Sequence, residues 1–157
     1  MSEAATTEAP ISVHSVTPHL VCAGAADAIE FYKQAFGAVE VVRMADPEGK
    51  LMHAMVTING SSVLLVDEYK DFGAVSPKTL GGSPVTIHLT VPDVDAYVAR
   101  AVEAGSVVTM PVEDQFWGDR YGVIQDPFGH NWSIATSLPG APKTAEELQE
   151  AAKTAGM

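Results

Sequence analysis

Cysteine is almost absent from this chain of 157 residues: Cys22 stands alone. One thiol cannot close an internal disulfide and cannot build a cysteine-based zinc site. Bases are scarce as well, nine Lys and Arg against twenty Asp and Glu, for a formal net charge of -11. A surface of that sign repels phosphate backbones and anionic lipid, so the expectation is no nucleic acid and no membrane among its partners. No apolar run reaches eighteen residues, so no transmembrane helix is expected. The opening MSEAATTEAP carries acids and no cationic start, unlike a secretory signal. Glycine-rich dinucleotide fingerprints, P-loops and nucleophile elbows are missing. What is present is 46 % hydrophobic residues with 18 % charged, a balance that excludes disorder for the bulk of the chain. A cytoplasmic globular protein is expected, either one domain or two small modules sharing a core.

An internal repeat favours two modules. Val16-Thr17-Pro18-His19-Leu20 returns as Val85-Thr86-Ile87-His88-Leu89, an offset of 88 − 19 = 69. Each copy leads through an apolar run into a helical pattern. Ile29, Tyr32 and Phe36 share one face of the first helix, and Val94, Val98 and Ala101 one face of the second. Gly37 and Gly105 follow as helix-ending glycines. Three strand-like runs come next in each half, with Asn59-Gly60 as a hairpin turn in the first. The pattern predicts an α+β fold: two tandem βαβββ modules forming a curved eight-stranded mixed sheet around a cleft, helices on the convex side. The divisions are an acidic disordered tail (1–12), a first module (13–69), a connection (70–84), a second module (85–137) and a linker with a short C-terminal helix (138–157). The Gly/Pro-rich connection either folds over the cleft as a lid or simply joins the modules.

These features resemble the vicinal oxygen chelate superfamily, which includes glyoxalase I, bleomycin-resistance proteins and extradiol dioxygenases. AIEFYKQAFGA is similar to its first-helix signature, and QFWGDRYGVIQDPFGHNW to the C-terminal signature of its PhnB-like branch. The resemblance implies a small-molecule substrate or drug in the cleft, and a homodimer. In metal-using members the first strand of each module gives a histidine and the last strand a glutamate. By that resemblance the first-strand positions fall at Thr17 and Thr86, and the last-strand positions at Leu64 and Ser133.

His19 and His88 lie two residues beyond those threonines and so share their face. Both are candidate ligands for one divalent metal ion (zinc, nickel, iron or manganese), with His53 as a third donor. Hydrogen bonding to a bound organic molecule is the plainer alternative. Neither Leu64 nor Ser133 is an ordinary ligand, and glyoxalase I chemistry needs a glutamate base beside a metal-bound water. Phe116 and Trp117 can stack on a flat ligand and Arg120 can hold an anionic group, or Arg120 can serve a structural ion pair. Thr17, Thr86, Phe116, Trp117, Arg120 and Ser133 are the candidate ligand-binding residues. Trp132 and Cys22 are assigned to the core and His130 to a structural hydrogen bond. Two functions compete: a metal-assisted lyase, isomerase or dioxygenase, and a metal-free protein that binds a drug or metabolite.

Overall fold

In the computed structural model, residues 12–157 are described. The disordered tail expected over 1–12 therefore falls, except for Ser12, outside the described residues. Two βαβββ modules follow one another. The first comprises β1 (His19–Cys22), α1 (Ala25–Phe36), β2 (Val39–Ala45), β3 (Leu51–Ile58) and β4 (Ser61–Asp67). The second comprises β5 (Thr86–Thr90), α3 (Val94–Glu103), β6 (Val107–Asp114), β7 (Asp119–Gln125) and β8 (Asn131–Ser137). Between them lie a 3-10 turn (Lys70–Phe72) and α2 (Pro77–Leu80), and α4 (Ala145–Thr154) ends the chain.

The eight strands are divided into two four-stranded mixed sheets, ordered β1-β4-β3-β2 and β5-β8-β7-β6. They do not join into one hydrogen-bonded sheet, and the chain chemistry at the junction explains why. β1 runs parallel to β4 and spends one edge on it. Leu64 N–H donates to the Pro18 carbonyl, so the peptide groups of Pro18 and Leu20 face β4 while those of His19 and Val21 face outward. There the Val21 carbonyl accepts a hydrogen bond from His130 Nε2 at 2.9 Å, not from β5. A side chain takes the place of a ladder.

The turn chemistry follows the residues. Asn59 and Gly60 both hold positive φ (48° and 82°), as the tight hairpin between β3 and β4 requires. Each helix begins on a side chain from the last strand of its own module. Asp67 Oδ1 accepts from the Gly24 and Ala25 amides, 3.0 Å each, and Thr136 Oγ1 accepts from the Val94 amide at 2.8 Å. Since 67 + 69 = 136, the repeat extends to these capping groups. Both satisfy helix N-terminal donors that have no partner inside the helix.

One apolar core spans both modules. Leu20, Cys22, Leu65 and Ala54 lie under α1, while Leu89, Ile124 and Ile134 lie under α3. The two helices pack on each other. Trp132 of β8 crosses to the first module, its ring 5.4 Å from Tyr32 and 4.9 Å from Phe36. Beneath these rings Asp126 is 3 % exposed. Its Oδ2 accepts from the Tyr32 hydroxyl (2.5 Å) and the Trp132 indole N–H (2.9 Å). Its Oδ1 accepts from the Phe128 and His130 amides (2.9 and 3.0 Å). This buried carboxylate joins helix α1 to the β7–β8 turn of the other module. No helix among the described residues is long and apolar enough to cross a membrane.

Candidate functional site

Strand register decides which side chains can meet. His19 pairs with Leu64, Leu64 with Met55 and Met55 with Val42. In the second sheet His88 pairs with Ser133, Ser133 with Val123 and Val123 with Met110. Their neighbours Leu20, Cys22, Leu89 and Ile134 are buried toward the helices. Alternation therefore turns His19, His88 and Ser133 to the face away from the helices. Thr17 and Thr86 share that face. Thr17 Oγ1 lies 2.9 Å from Ser62 Oγ and donates to the His14 carbonyl at 2.8 Å. Thr86 stands opposite Asn131.

The second sheet carries a connected aromatic run on this face. His88 Nδ1 lies 2.8 Å from Ser133 Oγ, and Ser133 is buried. The imidazole stacks on Tyr121, with centroids 6.1 Å apart and planes at 17°. Tyr121 meets Trp117 edge to face at 5.3 Å, and Trp117 meets Phe116 likewise at 5.3 Å. Trp117 Nε1 donates to Asp119 Oδ2 at 3.1 Å, which fixes the indole plane. A buried hydroxyl at one end and three half-buried rings beyond it can hold a flat molecule by stacking and one hydrogen bond. Tyr121 was not among the candidates from sequence. Its signal was there: it lies two residues from Val123 on β7 and opposite Ala135, on the His88 side.

Arg120 turns the other way. Its guanidinium forks onto Asp95 of α3 (Nε to Oδ2 2.7 Å, Nη2 to Oδ1 3.1 Å) and reaches Asp114 Oδ1 at 3.0 Å. Hydrogen bonds to Asp95 and Asp114 raise the guanidinium's pKa above its ordinary value and occupy its donors. Arg120 is thus engaged in the ion pair that is the alternative reading of this residue. The cause is alternation, since Arg120 adjoins Tyr121 and takes the opposite face.

The candidate metal ligands do not converge within the chain. His53 lies on the His19 face, but β4 stands between β1 and β3. Two strand spacings separate the two backbones by roughly 9–10 Å, and the register adds an offset, since His19 lines up with Met55 and not with His53. His88 belongs to the other sheet. Leu64 and Ser133 stand directly opposite the two histidines, where a carboxylate would complete each pair. Among the described residues there is no group of three His, Cys, Asp or Glu able to hold a metal ion. Asp67 is committed to α1 and to the Leu51 amide at 2.7 Å. The donor set of the described residues does not fit a resident divalent ion. Cys22 is fully buried, and burial with Asp126 and Asp67 nearby pushes its thiol far above the ordinary range, so it is no nucleophile.

Paired βαβββ modules, each with one sheet face covered by a helix and the other open, define the fold class. Residues 12–134 match the model of the Glyoxalase/Bleomycin resistance protein/Dioxygenase superfamily, and the chain belongs to that family. A protein of Mycobacterium bovis is 49 % identical over 145 residues, covering 90 % of this chain and 94 % of that one. A solved gene product from Arabidopsis thaliana aligns with TM-score 0.63 at 31 % identity, over 79 % of this chain and 99 % of that one. TnmS3, an antibiotic binding protein from Streptomyces sp. CB03234, aligns with TM-score 0.59 at 25 % identity, over 83 % and 99 % of the two chains. A PhnB protein from Bacillus cereus shares the fold.

Proposed function

We propose that this protein is a cytoplasmic, metal-free binder of a planar organic molecule, held on the open face of the second sheet. The observation that carries the reading is the run Ser133–His88–Tyr121–Trp117–Phe116. One of Tyr121 and Trp117 stacks on the ligand plane and the other, set at 81° to it, meets the ligand edge, while the His88 imidazole, oriented by Ser133, hydrogen-bonds the polar end. Thr86 lines the same face beside Asn131. TnmS3 is described as binding an antibiotic, which supports a similar ligand class here. A homodimer, in which a second copy covers this face, completes the proposal. Metal-assisted lyase, isomerase or dioxygenase chemistry gains no support from the donor geometry of the single chain.

Tryptophan fluorescence tests this directly. Trp132 is 1 % exposed, so a ligand on the open face quenches Trp117 alone. Titration with planar chromophores such as anthraquinones and quinoxalines is expected to give saturable quenching. Tyr121→Ala is expected to weaken binding about tenfold, from the loss of about 1–2 kcal/mol of aromatic contact. Binding that survives unchanged in both Tyr121→Ala and Trp117→Ala sinks the proposal, as does binding that requires an added divalent ion.

A further inference from the structure

The internal repeat creates two equivalent cavities, and the chain has made them chemically different. One lies along the free edge of β1 and has a volume of about 360 Å³; its lining includes His19, Val21, Val85 and Ile87. The other lies along the free edge of β5 and has a volume of about 440 Å³; its lining includes His88, Thr90, Val16 and Pro18. These sets are related by the same offset of 69. The β5 cavity is polar, bordered by His14, Asn59, Ser61 and Ser62. Neither lining contains Asp, Glu, Lys or Arg, but in the β1 cavity Ser83 is the only hydroxyl or amide side chain. Val75, Pro77, Leu80 and Pro84, from the connection between the modules, form the roof of the β1 cavity.

That roof is fixed in place. Glu68 Oε1 accepts from the Ser76 amide at 2.8 Å and the Thr79 hydroxyl at 2.5 Å. Ser76 caps α2, and the Gly81 and Gly82 amides both donate to the Pro77 carbonyl, at 2.9 and 3.0 Å. Pro77 also seats against the β7–β8 turn: a Cβ on Gly129 would lie 2.8 Å from Pro77 Cβ. The floor is a strand edge whose peptide groups at His19 and Val21 face outward, as the β1–β4 ladder dictates. His130 Nε2 donates to the Val21 carbonyl, which leaves the His19 N–H and C=O and the Val21 N–H on that edge.

We propose that this roofed cavity is a second small-molecule site, for a compact, uncharged, largely apolar molecule bearing a primary amide. The apolar walls take the body of the ligand. The amide pairs its carbonyl with a strand-edge N–H and its N–H with the His19 carbonyl, as a neighbouring strand would. A charged group is disfavoured, because the lining has no Asp, Glu, Lys or Arg and only His19 and His130 as ionisable side chains. The site is separate from the aromatic face proposed above and does not depend on it.

The probe is benzamide, with benzoate as its charged counterpart, titrated into the full-length ¹⁵N-labelled protein and followed by amide chemical shifts. Saturable shifts are expected at His19, Val21, Gly82 and Val85, with benzoate at least about tenfold weaker. Leu80→Asp and Val85→Trp place a charge or bulk at positions already exposed to solvent, so the fold survives them. Both are expected to weaken benzamide by at least about tenfold, while Tyr121→Ala leaves it unchanged. Equal binding of benzoate, shifts centred on Tyr121 and Trp117, non-saturable shifts, or unchanged affinity in Leu80→Asp would each overturn the proposal.

Discussion

Asp126 offers the sharpest test of how the two modules are held together. Asp126→Ala leaves the Tyr32 hydroxyl and the Trp132 indole N–H, both essentially inaccessible to water, without an acceptor. Each orphaned buried donor costs about 1–3 kcal/mol, so the pair destabilises the fold by about 4 kcal/mol. For a chain of this size that lowers Tm by roughly 8–16 °C. Tyr32→Phe removes one bond and orphans no donor, and is expected to cost about 1–2 kcal/mol. Because both changes act on one bond, the double variant is expected to fall short of their sum. A pH dependence separates this network from simple packing. Burial and the Asp126 carboxylate hold the pKa of the Tyr32 hydroxyl well above its ordinary value of 10.0. Above that pH the unfolded tyrosine loses its proton while the folded one keeps it, so stability falls as alkalinity rises. Tyr32→Phe is expected to flatten this alkaline limb. Thermal melts followed by near-ultraviolet circular dichroism measure all three effects. An Asp126→Ala variant melting within about 2 °C of the parent, well inside the worked magnitude, refutes the reasoning.

Two other outcomes follow from named contacts. The Ser76 and Thr79 hydrogen bonds pull the Glu68 carboxyl from 4.5 down to about 2, so the clasp on α2 holds above pH 4.5 and loosens as pH falls toward 2. Glu68→Ala is expected to speed amide exchange over residues 75–82 at neutral pH, while exchange in β3 and β8 stays unchanged. Arg120→Ala removes only partly exposed ion pairs and is expected to cost at most about 1 kcal/mol in urea denaturation, with binding on the opposite face untouched.

Local chemistry made much of this legible in the residues. The offset of 69 predicted two modules, and it reaches even the paired capping groups Asp67 and Thr136. Period-two alternation put His19, His88 and Ser133 on one side and Trp132 and Cys22 on the other. The same rule separates Arg120 from Tyr121, because adjacent strand residues take opposite faces.

Other features depend on distances between segments far apart in the chain, and those are set only when the modules pack. Sequence could show that His19, His53 and His88 exist, but strand order placed β4 between β1 and β3 and put His88 on a different sheet. The outward carbonyl of Val21 on β1 accepts from His130, 109 residues away, and not from β5. The link from Tyr32 to Asp126 spans 94 residues and has no local signature. Period and capping are properties of neighbouring residues and can be read along the chain. Donor convergence, cavity walls and buried networks are properties of the packed molecule, and tertiary structure alone decided them.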